Sequence, residues 1–494
     1  MFPALWMFPV LFMNSTMHIA EPDPPWGRER AMKQPTKMNT EELDMTNLAT
    51  LTLLGILCLK SMGKESKYLK LKSWIRFLGK QIVKAFKKMY LLTLMTHIMQ
   101  IITGLVLHAL TLPLVIPFLL LFWFVSRIAK ILIWLHYGST ASKCSGMDAA
   151  WGLESPQSRP IISVLITMSG IPDIGKIRSH IKSKIVDAMD PSGEYKYRKF
   201  HQLFFRRFGY YVWQDQAEFD ITNHITMVSM KHSVGDKKSQ ILKYMCKTET
   251  MNLSGDRPPW RITVIDTGDG RYSLLIILHH AIGDGMSLVR LCLESLVDDP
   301  LTVTYPSPRK QHPVIKLFVN IWSAIVLPLG MLKVIGNNDK SSLHGVQLSG
   351  EKIAASSVGL PLELVRNVKK TAGATVNDVL MSCLASATTK LLARRNETCS
   401  NITTVIPVNF HQENEKLKLH NCFSCGIIKL STEPTTSSLA RLSDTKNAFD
   451  KLKVDPTLAA VYWAVAAASD IIPAPIAERI FTGKGISLAA SNIP

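Results

Sequence analysis

Apolar residues fall along this chain in three kinds of run, and each predicts a different element. The longest, Met89–Ser126, contains no Asp, Glu, Lys or Arg and exceeds the roughly 20 residues that one bilayer crossing needs. Pro113 and Pro117 sit past its middle and disfavour one straight helix. Two geometries stay open: one tilted span continuing into a membrane-embedded piece, or two short helices forming a hairpin. Lys80, Lys84, Lys87 and Lys88 precede the run, and Arg127 and Lys130 follow it. Positive charge on both flanks favours the hairpin, with both ends on the cytoplasmic side. Just before the run, Leu71, Trp74, Ile75, Leu78, Ile82 and Phe86 share one helical face and lysines largely occupy the other. That is the pattern of a basic amphipathic helix lying among lipid headgroups.

Runs of the second kind are short and β-like: Ile161–Met168, Leu274–Leu278, Val346–Leu360, Thr403–Val408 and Cys422–Leu430. Helical spacing predicts helices near Ile174–Met189 and over Pro361–Thr371, Asn377–Arg395, Leu439–Leu452 and Leu458–Ser469. The third kind is Val314–Ile335, apolar, with Lys316 and Lys333 at its edges and Pro328 inside. It reads either as a helix between domains or as one that dips into a membrane, with a modest preference for the membrane. Glu21–Glu42 reads as flexible, Gly138–Pro160 as a boundary and Leu301–Pro313 as a linker. The resulting division is 1–60, an N-terminal segment; 61–137, the amphipathic helix and membrane hairpin or span; 138–305, a first domain; 306–345, an apolar linker; and 346–494, a second domain.

Composition changes this picture in two ways. The 494 residues carry 57 Lys and Arg against 38 Asp and Glu, a net charge of +19. About ten of the basic residues crowd into Lys60–Lys88 beside one acid, Glu65, directly before the longest apolar run. That placement selects an anionic membrane surface as the partner. No nucleic-acid motif is present and no nucleic-acid partner is expected. Met1–Ala20 is apolar but lacks a basic start and a small-residue cleavage site, so no signal peptide is assigned. The 8 cysteines are scattered, and Cys422 and Cys425 make a lone C-x-x-C. They read as reduced thiols on a cytosolic face.

The candidate chemistry lies in Ser273–Val297. A buried strand, Leu274–Leu278, ends at His279 and His280; a short polar turn holds Asp284 and Gly285; then Leu288, Val289, Cys292, Leu293 and Leu296 recur at helical spacing. Imidazole titrates close to neutral pH and suits general-base work. Asp284 can fix the corner by accepting from an arginine or from backbone N–H groups, and Gly285 permits the turn. Adjacent histidines on a strand point to opposite faces and do not easily share one ion, so no metal is expected.

The pattern His279-His280-x-x-x-Asp284-Gly285 resembles that of the chloramphenicol-acetyltransferase-like acyltransferases. The flanks choose a branch. Phe205–Ile225, Asp256–Leu288 and Lys369–Leu392, the last built around Asn377-Asp378, look like the wax ester synthase/diacylglycerol acyltransferase family. The resemblance begins near Gly146-Met147-Asp148-Ala149 and covers the rest of the chain. It implies an α/β fold of tandem chloramphenicol-acetyltransferase-like domains behind a helical membrane-anchoring N-terminal region. The chain stops at Pro494, so the second domain is expected to be C-terminally incomplete.

The implied reaction moves a fatty acyl group from acyl-CoA, a co-substrate rather than a cofactor, to a long-chain alcohol or a diacylglycerol. His280 would be the base, with His279, Asp284 and Gly285 in support. Asn377 and Asp378 would lie near the site, Asn377 at a helix N-cap. Arg206 and Arg207, among the aromatics of Phe200–Trp213, read either as a patch for CoA phosphates or as a solvated helix end. Membrane lipid is the expected surface, on the endoplasmic reticulum with a cytosolic catalytic domain, or on a lipid droplet. The alternative is a catalytically incomplete, lipid-binding relative of these enzymes.

Overall fold

A computed structural model describes residues 64–492, apart from 156, 232–234, 252, 254, 299–312, 336–338, 347, 413–415 and 481–485. The expectations for residues 1–63, for the side-chain faces of 64–90 and for most of the 301–313 linker fall outside it.

The described residues open with one helix, α1 (Lys64–Tyr137). This corrects the hairpin. Pro113 and Pro117 both lie inside the helix, which accommodates the lost backbone bond and ring crowding of each without ending. The three residues between them, Leu114, Val115 and Ile116, offer no turn chemistry with which to reverse the chain. Residues 64–103 of α1 form a unit of their own, and Gly104 onwards belongs to the main body.

The main body continues with β1 (Ala141–Lys143), α2 (Gly146–Ala150), β2 (Ile161–Ser169), α3 (Ile174–Ile181), β3 (Gln202–Arg207), β4 (Tyr210–Asp215), β5 (Ile225–Ser229), α4 (Lys237–Thr250), β6 (Trp260–Asp266), β7 (Arg271–His279) and α5 (Gly285–Leu291). Then come α6 (Pro313–Ile335), α7 (Leu362–Ala372), α8 (Val376–Arg394), β8 (Asn401–Asn409), β9 (Phe423–Ser431), α9 (Ser438–Lys453), α10 (Thr457–Ile471), α11 (Ala474–Ile480) and β10 (Leu488–Ala489). The architecture is mixed α/β.

The first sheet runs β2-β7-β6-β5, with β7 antiparallel to both neighbours. The unbroken apolar run of β7 follows from burial on both faces. Leu275 and Ile277 pack with Ile241, Leu242 and Met245 of α4 on one side. Ile276 and Leu278 pack with Leu288 and Leu291 of α5 on the other. Each such side chain contributes about 1.5–3 kcal/mol through burial.

A smaller sheet, β1-β4-β3, lies where a helix end or a CoA patch was expected. Phe208 and Gly209 both take positive φ, 49° and 81°, and turn β3 into β4. Arg206 is bound to Glu478 at 3.0 Å. The third sheet, β10-β8-β9, pairs Asn409 with Phe423 at one end of its antiparallel arm. Val346–Leu360 forms no strand among its described residues; Ile353 is 98% exposed and Val358 79%.

Helix α6 bears on α1 at Gly104, where an added Cβ would stand 2.3 Å from the carbonyl oxygen of Ile325. His108 Nε2 meets the Ala324 carbonyl at 2.9 Å nearby. Helix α8 is capped by Thr375, not by Asn377. The Thr375 hydroxyl accepts from the Asp378 N–H, and the Asp378 carboxylate accepts from the Thr375 N–H at 2.7 Å. A cap needs its oxygen three residues before the N–H it receives, and threonine supplies it here. Thr375→Ala is therefore expected to lower the stability of the solubilised protein by about 1 kcal/mol, read from its denaturant midpoint. An unchanged midpoint would show that the cap contributes nothing.

Candidate active site

Strand β7 delivers His279 and His280 to the edge of the first sheet, and the Pro160 carbonyl receives the His280 N–H at 2.6 Å. Past this edge the two side chains part company. His279 turns inward against Phe204, its ring centroid 4.9 Å away. Its Nδ1 accepts the Ala281 N–H at 3.1 Å, so its proton sits on Nε2, which finds no hydrogen-bond acceptor among the described residues. Burial, with a smaller push from His280, holds His279 down to about 3. It is a neutral ring that shapes the turn.

His280 is held on two sides. Trp151 stacks on it with ring centroids 4.3 Å apart and planes 19° from parallel, and Phe423 stacks on Trp151 in turn. Asn421 Oδ1 lies 2.8 Å from His280 Nδ1. The amide orientation follows from its other partners. Asn421 Nδ2 donates to the His280 carbonyl at 2.8 Å and to Asp148 Oδ1 at 2.8 Å, and both of these can only accept. Oδ1 therefore faces the imidazole, Nδ1 carries the proton, and Nε2 carries the lone pair. Burial pushes His280 down to about 4, against opposing pulls from Asp284 and Asn421. At neutral pH it is an uncharged base.

Behind Asn421 stands an ion pair. Lys199 Nζ donates to Asp148 Oδ2 at 2.7 Å and to the carbonyls of Ala281 and Ile282 at 2.9 and 3.1 Å. All three ammonium protons thus have acceptors, and two of those acceptors belong to the turn after His280.

Asp284 caps α5 by accepting from the Ser287 N–H at 2.8 Å. Its other oxygen accepts from the Cys422 N–H at 2.9 Å and meets His411 Nε2 at 2.9 Å. Burial works to raise this carboxyl, but His411 and the two backbone N–H groups outweigh it and hold it below the usual carboxylate range. Asp284 thus ties its own corner to the loop between β8 and β9. The corner does take backbone N–H groups, as expected; in place of an arginine it takes His411. Gly285 departs from expectation. It is the first residue of α5 and has no positive φ, so the turn does not demand glycine.

No hydrogen bond or ring contact among the described residues ties Asn377 or Asp378 to His280. Asp378 is buried in its cap with Oδ1 unpartnered. The sequence reading missed Asp148, Trp151, Lys199, His411 and Asn421. One signal was available: Asp148 opens the stretch that carries the resemblance; His411 and Asn421 of the β8–β9 loop are buried only through the fold. The same loop brings potential ligand atoms of His411, His420 and Cys422 within 4.8 Å of one another, although His411 is already engaged by Asp284.

A family model described as the wax ester synthase/diacylglycerol acyltransferase catalytic domain matches residues 191–326. A Mycobacterium tuberculosis protein named for diacylglycerol O-acyltransferase activity is 24% identical over 230 residues, 41% of this chain and 50% of that protein. An O-acyltransferase of Acinetobacter baylyi is 24% identical over 324 residues, 57% of this chain and 68% of its own length. The chain thus spans about half the length of the mycobacterial relative. Among solved structures, the wax ester synthase/diacylglycerol acyltransferase of Marinobacter aquaeolei aligns with a TM-score of 0.48 at 19% identity, over 72% of this chain and 82% of that one. The matched stretch holds His279, His280, Asp284 and Gly285, and over it the chain is similar to the wax ester synthase/diacylglycerol acyltransferase catalytic domain.

Proposed function

We propose that the protein is a membrane-bound O-acyltransferase that moves a fatty acyl group from acyl-CoA to a long-chain alcohol or a diacylglycerol. The observation that carries this reading is the tautomer of His280, fixed by Asn421 with the lone pair on Nε2. In the reaction, Nε2 takes the proton of the acceptor hydroxyl as that oxygen attacks the thioester carbonyl. The tetrahedral adduct collapses, the carbon–sulfur bond breaks, and the proton passes from Nε2 to the departing thiolate. No covalent enzyme intermediate is needed. While the imidazolium exists, the Asn421 amide holds its Nδ1–H, and the Asp148 carboxylate on the far side of that amide offsets its charge. The test is an assay of membranes carrying the full chain with labelled acyl-CoA, offering fatty alcohol and diacylglycerol in parallel. His280→Ala is expected to lose about 10²–10⁴-fold of the ester product, roughly 3–5 kcal/mol of barrier, with membrane association unchanged. Near-full activity in that variant would refute the assignment.

The acid limb of the pH–rate profile provides an independent check. A buried histidine resists protonation, so its neutral, active form persists below the ordinary value of 6.5 and is lost only near 4. kcat/KM should therefore stay flat from neutral pH through 6 and fall towards pH 4. A limb centred at 6.5 or above would mean that His280 is not buried in the working enzyme.

Membrane attachment rests on α1. Leu94–Thr140 is long and apolar enough to cross a bilayer, and Leu110, Leu114, Phe118 and Leu121 stand exposed along it. A single crossing puts the two ends of the helix on opposite sides. We place the catalytic body on the cytosolic side of the endoplasmic reticulum or at a lipid droplet, where acyl-CoA and dissolved acceptor meet. On sealed microsomes, protease should cut a tag near Cys144 and spare one near Lys60. Cleavage of both tags would restore the hairpin that the flanking charge favoured.

A further inference from the structure

We infer that the β8–β9 loop holds a zinc site, made by His411, His420 and Cys422, that clamps the amide orienting His280. The motif histidines take no part in it. One donor atom of each of the three residues lies within 4.8 Å of the other two. Two imidazoles and a thiolate are a donor set that suits zinc. At zinc–nitrogen lengths of about 2.0–2.1 Å and a zinc–sulfur length of about 2.3 Å, tetrahedral ligands stand roughly 3.3–3.6 Å apart. A closure of the loop by little more than about 1 Å therefore binds the ion.

The outer contacts are those that ligating histidines make. Such a histidine gives its other N–H to a carboxylate or a backbone carbonyl, which fixes the tautomer and aims the lone pair at the ion. His411 Nε2 meets the Asp284 carboxylate at 2.9 Å, which puts the lone pair of the neutral ring on Nδ1. His420 Nδ1 faces the Lys418 carbonyl at 3.3 Å. A carbonyl can only accept, so the His420 lone pair lies on Nε2. The Tyr462 hydroxyl points to Cys422 Sγ at 3.9 Å, a donor suited to a thiolate. Asp284 also accepts the Cys422 N–H, so one carboxylate holds two of the three ligand-bearing residues. The charges close as well: two positive on the ion, one negative on the thiolate and one on Asp284, which leaves no net charge to bury. His411 is buried, while His420 and Cys422 are half-buried, which gives the ion a way in. The fourth position falls to water.

Asn421 stands between His420 and Cys422 in the chain, and its Oδ1 receives the Nδ1–H of His280. An ion bound to both neighbours fixes the backbone on either side of that amide. The zinc is a positioning clamp; no proton or electron passes through it.

The test uses the full chain, expressed with added zinc and solubilised in detergent. Wild type is expected to keep one zinc per chain through dialysis. After exchange of zinc for cobalt it should show a thiolate-to-cobalt charge-transfer band and the visible spectrum of tetrahedral cobalt. Cys422→Ser should lose the charge-transfer band. His420→Ala should weaken cobalt binding by more than the roughly 10–100-fold that losing an outer partner costs. Cys425→Ser should keep both the band and the affinity. No retained metal, no such band in wild type, or a band that survives Cys422→Ser would overturn the site, and the wild-type spectrum decides even if a variant fails to fold. Turnover is a separate readout that rests on the acyl-transfer reading. Chelation should slow ester formation by wild type several-fold, zinc should restore it, and Cys422→Ser should not respond to either. A chelated wild-type chain that keeps its full rate would overturn the clamp. The cobalt band in a chain that makes no ester supports the zinc site and sinks the acyl-transfer reading alone.

Discussion

The site depends on one side-chain amide. Asn421 receives the proton of His280, and its own N–H groups are taken by a carbonyl and by Asp148. An amide cannot flip at such a point without facing two acceptors with a third, so the imidazole is oriented with no net charge beside it. A carboxylate in the same place would attract a second proton to the ring and take up the lone pair of Nε2. The charge is held one step further back, in the Asp148–Lys199 pair. The pair is half-buried, so it gains little in net stability, while stripping one partner strands the other's charge in a partly dry place. Lys199 also holds the carbonyls of Ala281 and Ile282, so ring, amide, ion pair and turn form one connected set.

Much of this was legible in the sequence, where local pattern decides the structure. Leu274–Leu278 is a buried strand because nothing polar interrupts it, and the helices at 376–394, 438–453 and 457–471 follow their spacing. The pairing of His279 and His280 with Asp284 was legible because all lie within one turn. What escaped depends on contacts distant in the chain. Asn421 is 141 residues from His280, and His411 is 127 from Asp284, and no local periodicity marks either. Asp148 and Trp151 lie in a stretch that reads as a boundary by composition, yet Trp151 stacks on His280.

The errors also have physical causes. Two prolines suggested a break in α1, but the helix runs through both. Asn377 looked like a cap because asparagine often is one, while the threonine two positions earlier has an acidic partner at the required spacing. Arg206 read more readily as a solvated helix end than as a phosphate contact; it lies instead on a strand, β3, and its partner is Glu478, 272 residues away.

The same long-range closure governs when the site can come into being during synthesis. His280 and Asp284 leave the ribosome with their sheet, but their partners follow roughly 130–140 residues later. At about 5–20 residues per second, that is a delay of several seconds or more. Throughout it the first sheet can form while its corner keeps a carboxylate and an imidazole exposed to water. Only the arrival of the β8–β9 loop dries the corner and sets the tautomer.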